Sequence, residues 1–157
     1  MTPSVRAATS EDFARLADVQ RRAVDACLRP LYDEVAIDNW LVGLDATKFE
    51  RVVATGEEIA VAETDSTVVG FVSYHAEMSL LGMWYVDPDH IGRGVGSSLL
   101  RFAESRLIEL GCAEAMTEAS LFARPHFEAR GWVAVEEYEK PAFGGLFLVT
   151  RMSKVLA

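Results

Sequence analysis

The sequence predicts an α/β (α+β) domain with a mixed, largely antiparallel sheet of about seven strands flanked by helices. Three observations predict this class. Glu57 to Thr64 and Val68 to Tyr74 are strand-like segments joined by Asp65-Ser66, which is typical of a hairpin. The segment Leu80 to Val86 follows and predicts a third strand that is apolar on both faces. A glycine-rich turn, a long amphipathic helix and another strand then indicate a β–α–β crossover.

One strand and two helices precede the hairpin. Val5 to Ala8 is a short strand, and Thr9 to Asp12 supplies the hydroxyl cap and acidic residues that are typical of a helix start. This helix should end near Arg29-Pro30, because the residue before a proline disfavours helical backbone. A second helix is predicted from Asp33 to Leu44, and Lys48 to Val53 is a candidate for a further short helix.

The remaining elements follow the glycine-rich turn. The long amphipathic helix should close at Gly111, a residue type that favours helix C-termini, and Ala113 to Ala119 forms the returning strand. Ser120 to Arg130 is predicted as a short helix, and Trp132 to Tyr138 and Leu146 to Met152 as a final antiparallel pair. The predicted order is βααβββαβαββ, with two helices after the first strand.

Length, charge and cysteine usage limit the function classes. The 157 residues fit one domain over residues 1–157. A net charge of −9 and a pI of about 4.8 argue against nucleic acid or an anionic membrane as the main partner. No apolar run approaches the roughly 18 residues of a membrane-spanning helix, and Met1 to Arg6 lacks a signal-peptide core, so a cytoplasmic location is expected. Cys27 and Cys112 lack metal-ligand spacing, and no metal is expected.

The glycine-rich turn predicts a phosphate-bearing ligand. Its three glycines occupy alternate positions, Gly92, Gly94 and Gly96. Without side chains, the backbone N–H groups of a strand-to-helix turn can approach an anion closely. A dinucleotide fingerprint would need a third glycine where Ser97 or Leu99 stands, and a P-loop would need a lysine, which is absent between Lys48 and Lys140.

The segment Val86 to Leu100 resembles the acetyl-CoA-binding segment of the GCN5-related N-acetyltransferases (GNAT), whose core is Gln/Arg-x-x-Gly-x-Gly/Ala. Gly94 and Gly96 fill the glycine positions, and Gly92-Arg93 matches the usual Gly-Arg pair. Ile91 stands where glutamine or arginine is common, which removes one side-chain contact.

The resemblance extends downstream and upstream. Ser120 to Trp132 is similar to the family segment Asn-x-x-Ala-x-x-Phe-Tyr-x-x-x-Gly-Phe, with Phe127 at the tyrosine position. Tyr32 with Trp40, and the ending Phe147 to Lys154, are similar to an uncharacterised bacterial subgroup in which phenylalanine often replaces that tyrosine.

The resemblance implies acetyl-CoA as co-substrate, without a metal, in a V-shaped gap between the strands Leu80–Val86 and Ala113–Ala119. Backbone groups would hold pantetheine and pyrophosphate, and Arg93 is a candidate for a charge-assisted contact. The cofactor-binding residues implied are Trp84, Tyr85, Val86, Ile91, Gly92, Arg93, Gly94, Val95, Gly96, Ser97, Ser120 and Phe127.

His126, Glu118 and Glu77 are the titratable candidates for the chemistry. Phe127 cannot protonate the leaving thiolate, so the acid is His126, Ser120 or water, or none is needed. Glu118, on the strand beside the gap, and Glu77, after the second strand of the meander, are candidates for the general base.

The acceptor pocket implied by the resemblance is built from residues 28–44 and nearby strand ends. Tyr32 and Trp40 would form an apolar or cation–π wall, and Asp33, with Glu34 and Asp38, could hold an ammonium group. These types fit a small amine, a peptide N-terminus or a lysine.

The predicted function is an acetyl-CoA-dependent N-acetyltransferase that acetylates a primary amine of a small molecule or peptide by direct attack on the thioester. Phe127 and Ile91 leave open an acetyl-CoA-binding module with little or no catalytic activity. A different nucleotide-binding α/β protein is a third alternative. The resemblance also implies a homodimer.

Overall fold

A computed structural model describes residues 2–157. The strands are β1 (Ser4–Ala7), β2 (Glu58–Thr64), β3 (Thr67–His75), β4 (Leu80–Val86), β5 (Glu114–Ser120), β6 (Val133–Ala142) and β7 (Gly145–Val155). The α-helices are α1 (Phe13–Ala23), α2 (Glu34–Val42), α3 (Ala46–Ala54), α4 (Val95–Glu109) and α5 (Arg124–Glu128). The strands form one seven-stranded sheet in the order β1-β2-β3-β4-β5-β7-β6. Neighbouring strands are antiparallel except β4 and β5, which confirms the predicted fold class.

The helices differ from the predictions in number and extent. Three α-helices, rather than the two in the predicted order, lie between β1 and β2, because the short segment around Lys48 does form α3. The predicted first helix changes to π-helical backbone over Val24–Leu28 and to a 3-10 turn over Arg29–Leu31. The predicted helix from Ser120 to Arg130 shrinks to α5, because Ser120 still belongs to β5 and its hydroxyl accepts the N–H of Ala123 at 3.1 Å.

The helices cover both faces of the sheet. On β2, Ile59 and Val61 pack towards α1 and α3, whereas Ala60 and Ala62 pack in the cluster that contains α4. This alternation agrees with the period of two that a strand requires. A third cluster joins α2 to β7 and contains Phe147. Among residues 2–157, no helix has the length and apolar character needed to cross a membrane.

The parallel strands β4 and β5 separate soon after they meet. Their ladder contains one residue pair, Leu80 with Met116, and the N–H of Met116 also donates to the Ser79 carbonyl at 2.9 Å. Beyond this point β4 stays paired with β3, and β5 stays paired with β7. A V-shaped gap therefore opens towards Val86 and Ser120.

Backbone groups of β4 face this gap. The N–H of Met83 donates to Ser73 Oγ at 2.7 Å and that of Asp87 to the Val69 carbonyl at 2.8 Å, so both point towards β3. Peptide directions alternate along a strand. The peptide groups of Trp84 and Val86 consequently point into the gap.

Candidate active site

A cleft of about 390 Å³ lies at the open end of the gap. The end of β4, the glycine-rich turn, the segment after β5 and the π-helical segment after α1 form its walls. The structure brings together most of the predicted cofactor-binding residues there, namely Trp84, Tyr85, Val86, Ile91, Gly92, Gly94, Gly96, Ser97 and Ser120.

The glycine-rich turn presents the N-terminus of α4 to the cleft. Gly94 is the N-cap residue with φ of +83°, a conformation that favours glycine. The first intrahelical hydrogen bond runs from the Ser98 N–H to the Gly94 carbonyl at 3.1 Å. The N–H groups of residues 95–97 therefore have no intrahelical acceptor, as at any helix start, and can bind an anion.

Trp84 packs directly on this turn. Its Nε1 donates to the Gly96 carbonyl at 3.0 Å, and a Cβ at Gly96 would lie 3.3 Å from the indole ring. The glycine at this position permits the close approach of the helix start and β4.

Arg130, just after α5, supplies a cation that the sequence analysis missed. It lines the cleft, and its Nε and Nη2 donate to Ser97 Oγ at 3.1 and 2.9 Å. Its guanidinium also lies 5.5 Å from the centre of the Trp84 ring. The predicted Arg93 is exposed and is not among the residues that line the cleft. Arg130 is thus better placed than Arg93 to contact a phosphate.

Two other predicted cofactor residues have packing roles. Val95 is 3 % exposed and its side chain faces the core near Gly70. Phe127 is 2 % exposed and lies between Trp84 and Trp132, with ring centres 4.6 and 5.3 Å away. Phe127 lines a second cavity instead of the cleft.

The second cavity, of about 310 Å³, meets the cleft at the gap. Trp84, Tyr85 and Ser120 line both cavities. Besides Trp84, Tyr85 and Phe127, its wall contains the aromatic side chains of Tyr32, Trp40, Phe143 and Phe147. A ligand in the cleft and a second molecule in this cavity would therefore meet between β4 and β5.

Tyr32 and Trp40 both line the second cavity, but they make different contacts. The Tyr32 hydroxyl donates to the Leu148 carbonyl at 2.7 Å and accepts the N–H of Leu121 at 2.8 Å. It thereby ties β7 to the segment that follows β5. Trp40 stacks on Phe143, with ring centres 5.1 Å apart and an angle of 6°.

The carboxylates predicted to hold an ammonium group, those of Asp33, Glu34 and Asp38, line neither cavity. The Asp33 carboxylate caps α2 by accepting the Ala36 N–H at 3.0 Å. Asp38 pairs with Arg29 at 2.9 Å, and Glu34 lies 3.7 Å from the same guanidinium. The carboxylates serve the helix start and a surface cation.

The three candidates for the chemistry are separated in space. Glu118 lines the second cavity, His126 lines the cleft, and Glu77 lies exposed in the turn before β4, outside both cavities. Glu118 Oε1 accepts Lys140 Nζ at 2.6 Å, and Oε2 accepts the Tyr138 hydroxyl. Burial raises the pKa of Glu118, but the hydrogen bonds from Lys140 and Tyr138 outweigh burial, and the pKa lies below its usual value.

A lysine on α3 is a further group that the sequence analysis missed. Lys48 lines the second cavity and donates from Nζ to Gln20 Oε1 at 2.8 Å. Burial lowers the pKa of Lys48 to about 8. Burial also raises the pKa of Tyr85, which lines the same cavity, to about 12. Among residues 2–157, no cluster of three or more potential ligands is placed to hold a metal ion.

A sheet that opens between β4 and β5, beside the bare N-terminus of α4, defines the class of GNAT-fold proteins. The sequence pattern of the family described as "Acetyltransferase (GNAT) domain" matches residues 28–156. The chain belongs to this family and is an acetyl-CoA-dependent acyltransferase.

Known relatives agree with this assignment. The uncharacterized N-acetyltransferase YafP of Escherichia coli is 29% identical over 136 residues, which cover 87% of this chain and 85% of that protein. A GCN5-related N-acetyltransferase from Rhodopseudomonas palustris superposes with a TM-score of 0.91, at 28% identity, and the match covers 99% of this chain and 97% of the other. The PaiA N-acetyltransferase of Thermoplasma acidophilum, solved with coenzyme A, has a TM-score of 0.82 at 20% identity, with 99% of each chain covered, and shares the fold.

Proposed function

We propose that the protein binds acetyl-CoA in the cleft and transfers the acetyl group to a primary amine of a small molecule or peptide in the second cavity. The observation that carries this proposal is the meeting of the two cavities at the β4–β5 gap, where Trp84, Tyr85 and Ser120 line both. A thioester reaching into the gap from one side would be open to an amine from the other.

The residues of the cleft fit this co-substrate. The N–H groups of residues 95–97 and the Arg130 guanidinium would bind the pyrophosphate, because both carry positive charge at the same place. Pantetheine would pair with the peptide groups of Trp84 and Val86, as an added strand would. An N–H that faces the gap can also stabilise the negative charge that develops on the thioester oxygen.

Acyl transfer by direct attack needs a neutral amine and a leaving group. The amine nitrogen forms the bond to the acyl carbon, the carbon–sulfur bond breaks, and the thiolate departs with the electron pair. Glu118 is the candidate that can take the amine proton through a water, because it lies in the acceptor cavity. His126 and Ser120 lie on the cleft side and are candidates to protonate the thiolate, whereas Phe127 has no proton to give.

The test is coenzyme A release from acetyl-CoA, measured with a thiol reagent across a panel of primary amines. We expect amine-dependent release and a mass increase of one acetyl group in the product. Gly96→Val should abolish release, because a side chain there meets Trp84 and fills the helix start. Gly43→Ala is the matched control, since a Cβ there has no neighbour within 4 Å. Binding of coenzyme A without turnover on any amine would contradict the proposal.

Location and assembly remain predictions. The cytoplasmic location is the expectation from the sequence given above, and a homodimer rests on the family resemblance.

A further inference from the structure

Lys48 places an ammonium group in the acceptor cavity without a carboxylate partner. Among residues 2–157 its Nζ takes part in no salt bridge, and its hydrogen-bond acceptor is the neutral amide oxygen of Gln20, which is 1 % exposed. The nearby charges oppose one another, since Glu57 favours the charged form of Lys48 and Arg51 disfavours it. A counter-ion would stabilise this group, because a half-buried ammonium has lost part of its hydration.

The other charges of the cavity are already paired. Glu118 accepts Lys140 at 2.6 Å, so this pair contributes no net charge. Of the acidic side chains outside this lining, Asp33, Glu34 and Asp38 serve α2 or Arg29, and Glu57 acts on Lys48 without forming a salt bridge with it. The side chains that line the cavity therefore carry one net positive charge, that of Lys48, in a protein whose net charge is −9.

We propose that the acceptor is an amino acid or a similar small amine whose carboxylate pairs with Lys48. Its apolar body would lie against the aromatic wall of Trp40, Phe143 and Phe147, and its amine would reach the gap. This inference rests on the proposed function, because it names the substrate class of the same site.

The charge state of Lys48 supports an anionic ligand. With a pKa of about 8, Lys48 is mostly protonated at neutral pH, and an ammonium has three donors, of which Gln20 uses one. A bound carboxylate would accept the remaining donors and hold the proton more firmly. A peptide acceptor with a free N-terminus carries no carboxylate near its amine and fits this arrangement less well.

The decisive experiment is binding of two near-isosteric ligands without an amine, 3-phenylpropionate and 3-phenylpropanamide, by calorimetry with coenzyme A present. In the wild-type protein we expect the carboxylate to bind roughly ten- to hundredfold more tightly, as for a hydrogen bond to a charged group. Lys48→Met should remove the preference and Lys48→Arg should keep part of it. Arg101→Met, which removes an exposed cation of α4 outside both cavities, should leave the preference unchanged.

An activity measurement separates this inference from the proposed function. In the wild-type protein, the KM for phenylalanine should be lower than the KM for its amide by a similar factor when coenzyme A release is measured. In Lys48→Met the two KM values should be equal. Equal binding of carboxylate and amide by the wild-type protein overturns the inference even if amines are acetylated. A carboxylate preference retained in Lys48→Met also overturns it, and absence of release with every amine refutes the proposed function alone.

Discussion

The guanidinium of Arg130 is fixed by two hydrogen bonds to the hydroxyl of Ser97, from Nε at 3.1 Å and from Nη2 at 2.9 Å. Its third nitrogen, Nη1, donates to the His126 carbonyl at 2.8 Å. These contacts join the end of α5 to the first turn of α4. A preorganised cation thus lies beside the free N–H groups of a helix start, where both attract an anion.

The first prediction concerns this cation. Arg130→Gln should weaken coenzyme A binding about tenfold, because it removes one charge-assisted contact at a partly exposed site. The loss should be larger at low ionic strength, since salt screens exposed charges. Calorimetry at two salt concentrations measures both effects.

Two arginines provide controls. Arg101→Gln removes an exposed cation from α4 outside the cleft and should not change the affinity. Arg93→Gln tests the candidate named from the sequence, and it should have less effect than Arg130→Gln. The reverse order of the two effects would contradict the assignment of the anion contact to Arg130.

The second prediction concerns Gly94, which has φ of +83°. Gly94→Ala should lower the free energy of unfolding by about 1–2 kcal/mol, because an L-residue is strained in the left-handed region. The Cβ itself would have no neighbour within 4 Å, so the cost is backbone strain without a clash. Denaturant unfolding measures it. Gly43→Ala, at φ of −87°, should be neutral or slightly stabilising, and an equal loss there would refute the strain argument.

The parts that sequence predicted well are those with a local pattern. The strand from Leu80 to Val86 has the predicted bounds, and the glycine-rich turn lies at the start of α4, because strand periodicity, turn residues and helix spacing all act over a few residues. The placement of Trp84 and Tyr85 at the cleft followed from the family resemblance.

The parts that sequence did not predict depend on distant partners. Lys48 meets Gln20, 28 positions away, and Arg130 meets Ser97, 33 positions away. The grouping of Asp33, Glu34 and Asp38 in sequence indicated an acidic pocket, but capping and Arg29 use those carboxylates locally. Residue type and spacing do not specify which partner a charged side chain finds.

The third prediction concerns Glu118 as the base. Because the pKa of Glu118 is lowered by Lys140 and Tyr138, the wild-type carboxylate is ionised throughout the neutral range, and kcat should show no inflection from it between about pH 6 and 8. Glu118→Gln should lower kcat about tenfold or more. Lys140→Met should raise the pKa of Glu118 and move any acidic limb of the kcat profile upward.

Glu136→Gln is the matched control for this prediction. Glu136 lies on β6 and pairs with Arg151 at 2.7 Å, outside both cavities. It should have little effect on kcat. If Glu118→Gln also leaves kcat unchanged with every active amine, Glu118 is not the base.

The fourth prediction concerns Asp87, which follows β4 directly and anchors the turn to α1. Its carboxylate is 4 % exposed and accepts Arg15 Nη2 and Arg22 Nη2, each at 3.2 Å, as well as the Asp89 N–H at 3.0 Å. Burial raises the pKa of Asp87, but the hydrogen bonds from Asp89 and Arg22 and the charges of Arg22 and Arg15 outweigh burial. The pKa therefore lies below its usual value.

A lowered folded-state pKa means that this stabilisation is present above the ordinary pKa of an aspartate and is lost as the pH falls through the folded value. Asp87→Asn should therefore cost about 1–2 kcal/mol at pH 7, a figure that allows for the partial exposure of both arginines, and less near pH 3. Asp89→Asn, whose carboxylate is 75 % exposed, should change the free energy of unfolding by no more than about 0.5 kcal/mol. Denaturant unfolding at both pH values measures the difference. A cost of Asp87→Asn that stays constant from pH 7 to pH 3 would show that packing, and not the carboxylate charge, anchors the turn.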